Sequence, residues 1–309
     1  MTADSGMWHR RWWIYQRERF PVFQNGALIA VFTFSAASYS AICRGTRDPV
    51  PWQVLVCGIA TSFILFLLLR FFDEFKDAED DARFRPYLPV PRGLITLREV
   101  GRGIVIACAI AFAANALVAP AMLPALLLAL LYILIMWREF FVARWLRRHA
   151  VAYLITHMMV MPVIDFYTTG LDWMVRGVKM PSGLLLFLVV TFLNGCVIEI
   201  GRKIRRPQDE EPGVETYSNL WGPRRALAVW LALLVGTGAL AYVCCRRGGY
   251  AAEALPVLCL LLAGCALPAV LFAVKGHSGK GIEVAAGVWT IGMYLTIGGL
   301  PMLLGWGVA

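Results

Sequence analysis

Asp73-Glu74-Phe75-Lys76-Asp77-Ala78-Glu79-Asp80-Asp81 follows directly on an apolar run at 63–72. Six carboxylates fall within nine residues. If the helix implied by the apolar run continues, Asp73, Asp77 and Asp81 stand at i, i+4 and i+8, on one face. Carboxylates on successive turns repel one another and resist joint ionisation. A hard divalent cation relieves that repulsion, and Mg²⁺ held by few carboxylates usually takes phosphate oxygens as well. The stretch predicts a magnesium–diphosphate site at the mouth of a membrane helix.

The surrounding composition supports the membrane half of that reading. The chain has 309 residues, of which 59% are hydrophobic and 16% charged. Its mean hydropathy is +0.66. A soluble domain carries roughly 25% charge. Apolar runs near the length needed to cross ~30 Å of hydrocarbon recur along the chain. The net charge of +9 calls for no nucleic-acid partner, because basic residues flanking membrane spans give the same balance. The eight cysteines are scattered, mostly within apolar runs, without zinc spacing, and read as small packing residues.

Nine spans are predicted, at 22–42, 52–74, 102–119, 121–137, 151–168, 183–200, 225–243, 253–274 and 282–305, forming one all-α membrane domain over 1–309. Residues 1–21 lack the apolar core of a signal peptide and read as an amphipathic segment on the membrane surface, with Trp8, Trp12 and Trp13 at headgroup depth. With the N-terminus inside, 23 of the 29 basic residues fall on inner segments and 6 on outer loops. That asymmetry predicts a cytoplasmic N-terminus and puts the polar loops 73–101 and 199–224 in the cytoplasm. They follow spans two and six, a four-span offset that hints at an internal repeat.

The second loop mixes signs. Arg202, Lys203, Arg205 and Arg206 are candidates for phosphate oxygens, which Arg can grip as a bidentate fork. Glu199, Asp209, Glu210 and Glu211 are candidates for a second Mg²⁺. Pro207 and Pro212 place residues 208–211 on a loop rather than a helix. Within span five, His157 and Asp165 lie eight residues apart on a similar face. Ionisable groups at such depth usually face a bundle interior, and these are candidates to orient an acceptor or remove a proton. Asn194, one turn inside Glu199, is a candidate site contact.

The two clusters together resemble the UbiA-type intramembrane prenyltransferase superfamily, nine-helix bundles with Asp-rich motifs after helices two and six. The first motif is matched by Asp73-Glu74-x-x-Asp77-x-x-x-Asp81, then Arg85-Pro86 and Pro91-Arg92-Gly93. The second is matched by Asp209-x-x-x-Gly213-x-x-Thr216, with Gly222 beyond. Asp73 stands where the family motif opens with Asn, and Glu74 where it has its first Asp. Arg205 occupies the place of the first Asp in the second motif, leaving Glu199 as its stand-in.

The resemblance implies a Mg²⁺-dependent enzyme that ionises an allylic isoprenyl diphosphate and transfers the prenyl group to an acceptor. It assigns Asp73, Asp77 and Asp81 to one ion, and Glu199 and Asp209 to another. Arg83, Arg85, Lys203 and Arg206 are assigned to phosphate oxygens, and Asn194 and Tyr217 to substrate contacts. Mg²⁺ and basic side chains neutralise the charge on the leaving diphosphate. The allylic cation must then be kept from water, in an apolar tunnel faced by Phe71, Phe72, Tyr217 or Trp221. A terpene cyclase of the same superfamily needs the same diphosphate chemistry and is the alternative. A transporter of phosphorylated lipids is more distant, since acidic residues on both loops point to metal chemistry. Acceptor, prenyl length and oligomeric state stay open.

Overall fold

The computed structural model describes residues 8–307; residues 1–7 of the expected amphipathic segment, and residues 308–309, lie outside the described residues. Among the described residues there is no strand, and nine helical stretches are long and apolar enough to cross a membrane. A short surface helix, α1 (Trp8–Arg19), precedes α2 (Val22–Cys43) and α3 (Trp52–Lys76). A one-residue break leads into α4 (Ala78–Phe84), followed by α5 (Leu97–Val118) and α6 (Leu123–Trp137). After the small helix α7 (Ala143–Leu146), α8 (Ala150–Met158) and α9 (Val160–Trp173) form one kinked span. Pro162, which has no N–H for the ladder, sits just past that kink. The chain continues through α10 (Gly183–Gly201), α11 (Tyr217–Trp221), α12 (Pro223–Arg247) and α13 (Ala251–Lys275). The last span is α14 (Lys280–Tyr294), prolonged by a π turn at Leu295–Gly299 and α15 (Leu300–Leu304).

The predicted spans are all present, with shifted ends. The third begins five residues earlier than expected, because Thr96 and Glu99 form a reciprocal capping box. The fifth runs on to Trp173, because Asp172, which reads as a loop residue, is neutralised within the bundle by Arg44 at 2.7 Å.

Lipid gives helices little hydrophobic reason to associate, so packing and interhelical hydrogen bonds decide the bundle. α2 is the central element: its Ser35-Ala36-Ala37-Ser38-Tyr39-Ser40-Ala41 run is buried throughout. The π turn lies against this run, with Gly298 so close to the Ser35 carbonyl that any side chain there would collide. Asn115 of α5 donates to Thr61 of α3 and accepts from Tyr167 of α9, each at 2.8 Å, pinning three helices by one side chain. Peripheral helices instead expose Val105, Ile106, Leu117, Leu127, Leu260 and Val274, as lipid-facing surfaces do.

At the end of the bundle that holds the acidic stretch, α1 lies across α3. Tyr15 is buried against Phe71, with Trp12 edge-on to both, while Trp8 and Trp13 are exposed. Three charged contacts strap α1 down: Arg11 to Glu99 at 2.7 Å, Glu18 to Arg92 at 2.8 Å and Arg19 to Glu74 at 2.6 Å. The Arg92 and Glu18 side chains are 35 % and 39 % exposed, so this, the strap's most exposed pair, contributes little by itself.

Candidate active site

The two polar clusters line one cavity of about 1730 Å³. From the first come Asp73, Asp77, Asp80 and Arg85; from the second come Glu199, Arg202, Lys203, Arg205, Glu210 and Glu211. Phe32, Phe66, Val160, Met161 and Tyr294 line its apolar part.

The acidic stretch does not continue as one helix. α3 ends at Lys76, and Asp77, at φ −95° and ψ 7°, caps it while opening α4. Its N–H donates to the Asp73 carbonyl at 2.9 Å, and its own carbonyl accepts from the Asp81 N–H at 2.7 Å. Asp favours such junctions because its short polar side chain competes with the helical backbone. The break corrects the expected three-carboxylate face. Asp73 and Asp77 stay in the cavity, but Asp81 turns under α1, where only 3 % of its side chain is exposed. There it meets Arg85 at 2.5 Å and Arg19 at 3.7 Å. Burial raises its carboxyl above the usual range, against the pull of Arg85 and Arg19.

The cavity carboxylates differ in what holds them. Asp73 is 41 % exposed into the cavity and has Arg70 at 3.8 Å. Asp77 and Asp80 have no ion-pair partner among the described residues. Glu199 is engaged at both oxygens, by Arg202 at 2.5 Å and Lys203 at 2.9 Å. Burial disfavours the Arg202 charge, but Glu199 and Asp73 outweigh it and raise its pKa. The segment after α10 is pinned in place. The Arg205 N–H donates to Ser218 Oγ at 2.6 Å, and the Tyr217 N–H donates to the Lys203 carbonyl at 3.1 Å. Tyr217 is buried beneath Lys203, whose ammonium lies 5.9 Å from its ring centre. Burial first, then Glu199, pushes its phenol well above the usual range, so it stays protonated.

Several expected site residues lie elsewhere. Asp209 is exposed on the short 3₁₀ turn Pro207–Asp209 and does not line the cavity, because Pro207 turns the chain outward. Arg206 also points away, bonded to the Gly276 carbonyl at the α13 C-terminus. Arg83 is exposed and lies over the Phe84 ring. Asn194 is buried behind the cavity wall, accepting from Thr290 at 3.4 Å. Phe71 packs under α1, Phe72 against Trp137 and Trp221 against Tyr217, and none of the three lines the cavity. Its aromatic lining includes Phe32, Phe66, Tyr153, Tyr217 and Tyr294. Asp165 is fully buried within the bundle but does not line the cavity, accepting from Tyr294 at 2.7 Å.

One group on the wall was not legible in the sequence. Glu139 reaches Lys76 at 2.6 Å and His157 at 3.5 Å, and Lys76 also donates to Tyr153 at 2.6 Å. All four residues line the cavity. Glu139, Phe140 and Phe141 have φ of 49°, 52° and 60°, a left-handed run without glycine. Such residues are strained by roughly 1–2 kcal/mol each. Nothing in the residue types announces that turn. His157, by contrast, was expected to face the interior, and it does.

Fold and site together define a class: an all-α intramembrane protein with a polar, ion-lined chamber at one end and an apolar recess behind it. The chain belongs to the UbiA prenyltransferase family, whose model matches residues 30–291. It is an integral, multi-pass membrane protein. Its fold is similar to a UbiA homologue from Aeropyrum pernix K1, at 18% identity and TM-score 0.63, covering 90% of this chain and 98% of that one. It is similar also to digeranylgeranylglyceryl phosphate synthase, at 12% identity and TM-score 0.62 over 93% and 99% of the two chains. A UbiA homologue from Archaeoglobus fulgidus bound to DMAPP and Mg²⁺ matches at 14% identity and TM-score 0.54, over 92% and 98%. No curated protein matches the chain in sequence.

Proposed function

We propose that this protein is a Mg²⁺-dependent intramembrane prenyltransferase that ionises an allylic isoprenyl diphosphate and passes the prenyl group to an acceptor. One observation carries the reading. Asp73 and Asp77 face Arg202, Lys203 and Arg205 across a single cavity that also has an apolar and aromatic part, lined by Phe32, Phe66, Val160, Met161 and Tyr294. An anionic head and a long apolar tail need that pairing of surfaces. Membership of the UbiA family supports it, as do the homologous structures with DMAPP or GPP and Mg²⁺.

Among the described residues, no three His, Cys, Asp or Glu side chains converge as an all-protein metal cage does. Mg²⁺ does not require one: it keeps several waters and binds through one or two carboxylates plus substrate phosphates. Asp73 and Asp77 fit that role, being open to the cavity, with Arg70, 3.8 Å from Asp73, as the one ion-pair partner the two have among the described residues. A bound Mg²⁺ would neutralise charge on the departing diphosphate. Arg202, Lys203 and Arg205 orient the phosphates with donors fixed before the substrate arrives, so little reorganisation is needed at the reaction. Phe32, Phe66 and Tyr294 keep water from the allylic carbon and offer ring faces to its positive charge. The distribution of basic residues supports a cavity that opens to the cytoplasm.

The test is to incubate the purified protein with prenyl diphosphates of several lengths, Mg²⁺ and a membrane-lipid extract, and to identify products by mass spectrometry. A prenylated product that requires Mg²⁺ and is lost in Asp77→Asn is expected. A cyclic hydrocarbon formed without an acceptor would move the protein to the cyclase reading. Intact diphosphate with every chain length would defeat both.

A further inference from the structure

We infer that the chain binds its diphosphate with one divalent cation, and that the second cluster is a basic phosphate clamp standing where a second cation was expected. This rests on the prenyl-diphosphate reading above and concerns how that site divides its charge.

Three carboxylates of the second cluster are already engaged. Glu199 Oε2 meets Arg202 Nη2 at 2.5 Å and Oε1 meets Lys203 Nζ at 2.9 Å, so both oxygens hold cations. Only 7 % of the Glu199 side chain is exposed. Glu211 Oε1 meets Arg205 Nη1 at 2.9 Å. Both oxygens of Glu210 accept from Thr216 Oγ1, at 2.7 and 2.8 Å. Asp209 lies outside the cavity. Glu215 and Glu283 are the other acidic groups lining this side; both are exposed, and no third carboxylate joins them among the described residues.

The pairing leaves the basic heads usable. A guanidinium carries five N–H donors and an ammonium three, so Arg202 and Lys203 each spend one contact on Glu199 and keep others for phosphate. Glu199 is therefore a positioning residue, which fixes two cations on a long loop. The sequence agrees: Arg205 stands where the resemblance places an acidic ligand. The first cluster shows the reverse pattern, since Asp77 has no ion-pair partner among the described residues and Asp73 has one single contact, to Arg70 at 3.8 Å.

Mn²⁺, which prefers the same oxygen ligands as Mg²⁺, is the probe. The intact protein in detergent is titrated with Mn²⁺ in the presence of geranyl S-thiolodiphosphate, which resists ionisation, and bound Mn²⁺ is counted by electron paramagnetic resonance. One Mn²⁺ per chain is expected, without spin–spin coupling. Asp77→Asn should lower Mn²⁺ affinity at least 10-fold. Glu199→Gln should leave the count at one, and Arg202→Met with Lys203→Met should weaken the analogue at least 10-fold while keeping that count. Two coupled Mn²⁺ ions per chain, or loss of bound Mn²⁺ in Glu199→Gln with the fold intact by circular dichroism, overturns the single-cation site. Failure of the wild-type chain to bind the analogue at all defeats the diphosphate reading itself.

Discussion

The two clusters that end α3 and α10 carry similar residues and use them in opposite ways. At the first, Asp73, Asp77 and Asp80 face the cavity, and of the neighbouring cations Arg70 alone pairs with one of them, Asp73, while Arg19 and Arg85 go to Asp81 and Lys76 to Glu139. At the second, Glu199 and Glu211 already hold cations and Glu210 a hydroxyl, and the basic heads are what remain. One side is built to hold positive charge and the other to present it. Acidic and basic residues in a loop thus say little until their partners are known.

The sharpest way to break this contrast is Asp77→Asn. The substitution keeps size and polarity and removes the charge, and no ion pair is lost with it. Turnover should fall by about 10²–10³-fold, the usual cost of removing one group that stabilises charge developing in the transition state. The melting temperature should stay near wild type. A large melting shift would show that Asp77 is structural.

On the opposite wall, Arg202→Met should act on binding first. A charge-assisted hydrogen bond contributes about 1.5–3 kcal/mol, which converts to roughly 10- to 150-fold in apparent affinity for the prenyl diphosphate. Because Lys203 remains on Glu199, that carboxylate is not left bare. Steady-state kinetics should show a raised KM at an unchanged Mg²⁺ requirement. A changed Mg²⁺ requirement with KM intact would make this wall a metal site after all.

Asp81→Asn separates stability from chemistry. It belongs to the acidic stretch by sequence and to the α1 clasp by structure, where Arg19 and Arg85 meet it. Burial already disfavours the Asp81 charge and Arg85 is part-exposed, so the loss should fall below the about 3–5 kcal/mol typical of a fully buried pair. Thermal unfolding should occur several degrees lower, while Mg²⁺ affinity changes less than in Asp77→Asn. Loss of Mg²⁺ binding at unchanged stability would return Asp81 to the metal.

Much of this molecule was legible before its structure, and the reason is physical. Span length answers to bilayer thickness, so nine spans could be read directly, and the α3–cavity junction followed from the acidic stretch. What failed was side-chain direction beyond a helix end. The sequence cannot show that the backbone breaks at Asp77, which sends Asp81 away from its neighbours, or that Pro207 turns Asp209 and Arg206 outward. Glu139 was invisible for a different reason. Its place in the cavity depends on a left-handed run of Glu139, Phe140 and Phe141, which no residue type there favours.

The smallest expected effect is the most direct test of that lesson. Asp209 is the residue of the second cluster that best fits a motif, yet it is exposed on a 3₁₀ turn and has no ion-pair partner among the described residues. Surface substitutions away from special features usually change stability by no more than about 0.5 kcal/mol, and a residue outside the cavity has no route to the diphosphate. Asp209→Asn should therefore keep turnover, KM and Mg²⁺ affinity within about twofold of wild type, a margin of roughly 0.4 kcal/mol by the usual tenfold-per-1.4 conversion. The outcome is informative because the same substitution at Asp77 should be severe. If Asp209→Asn proved as damaging as Asp77→Asn, the 207–216 loop would have to swing inward when substrate binds, and the division into an acidic wall and a basic wall would hold only for the free protein.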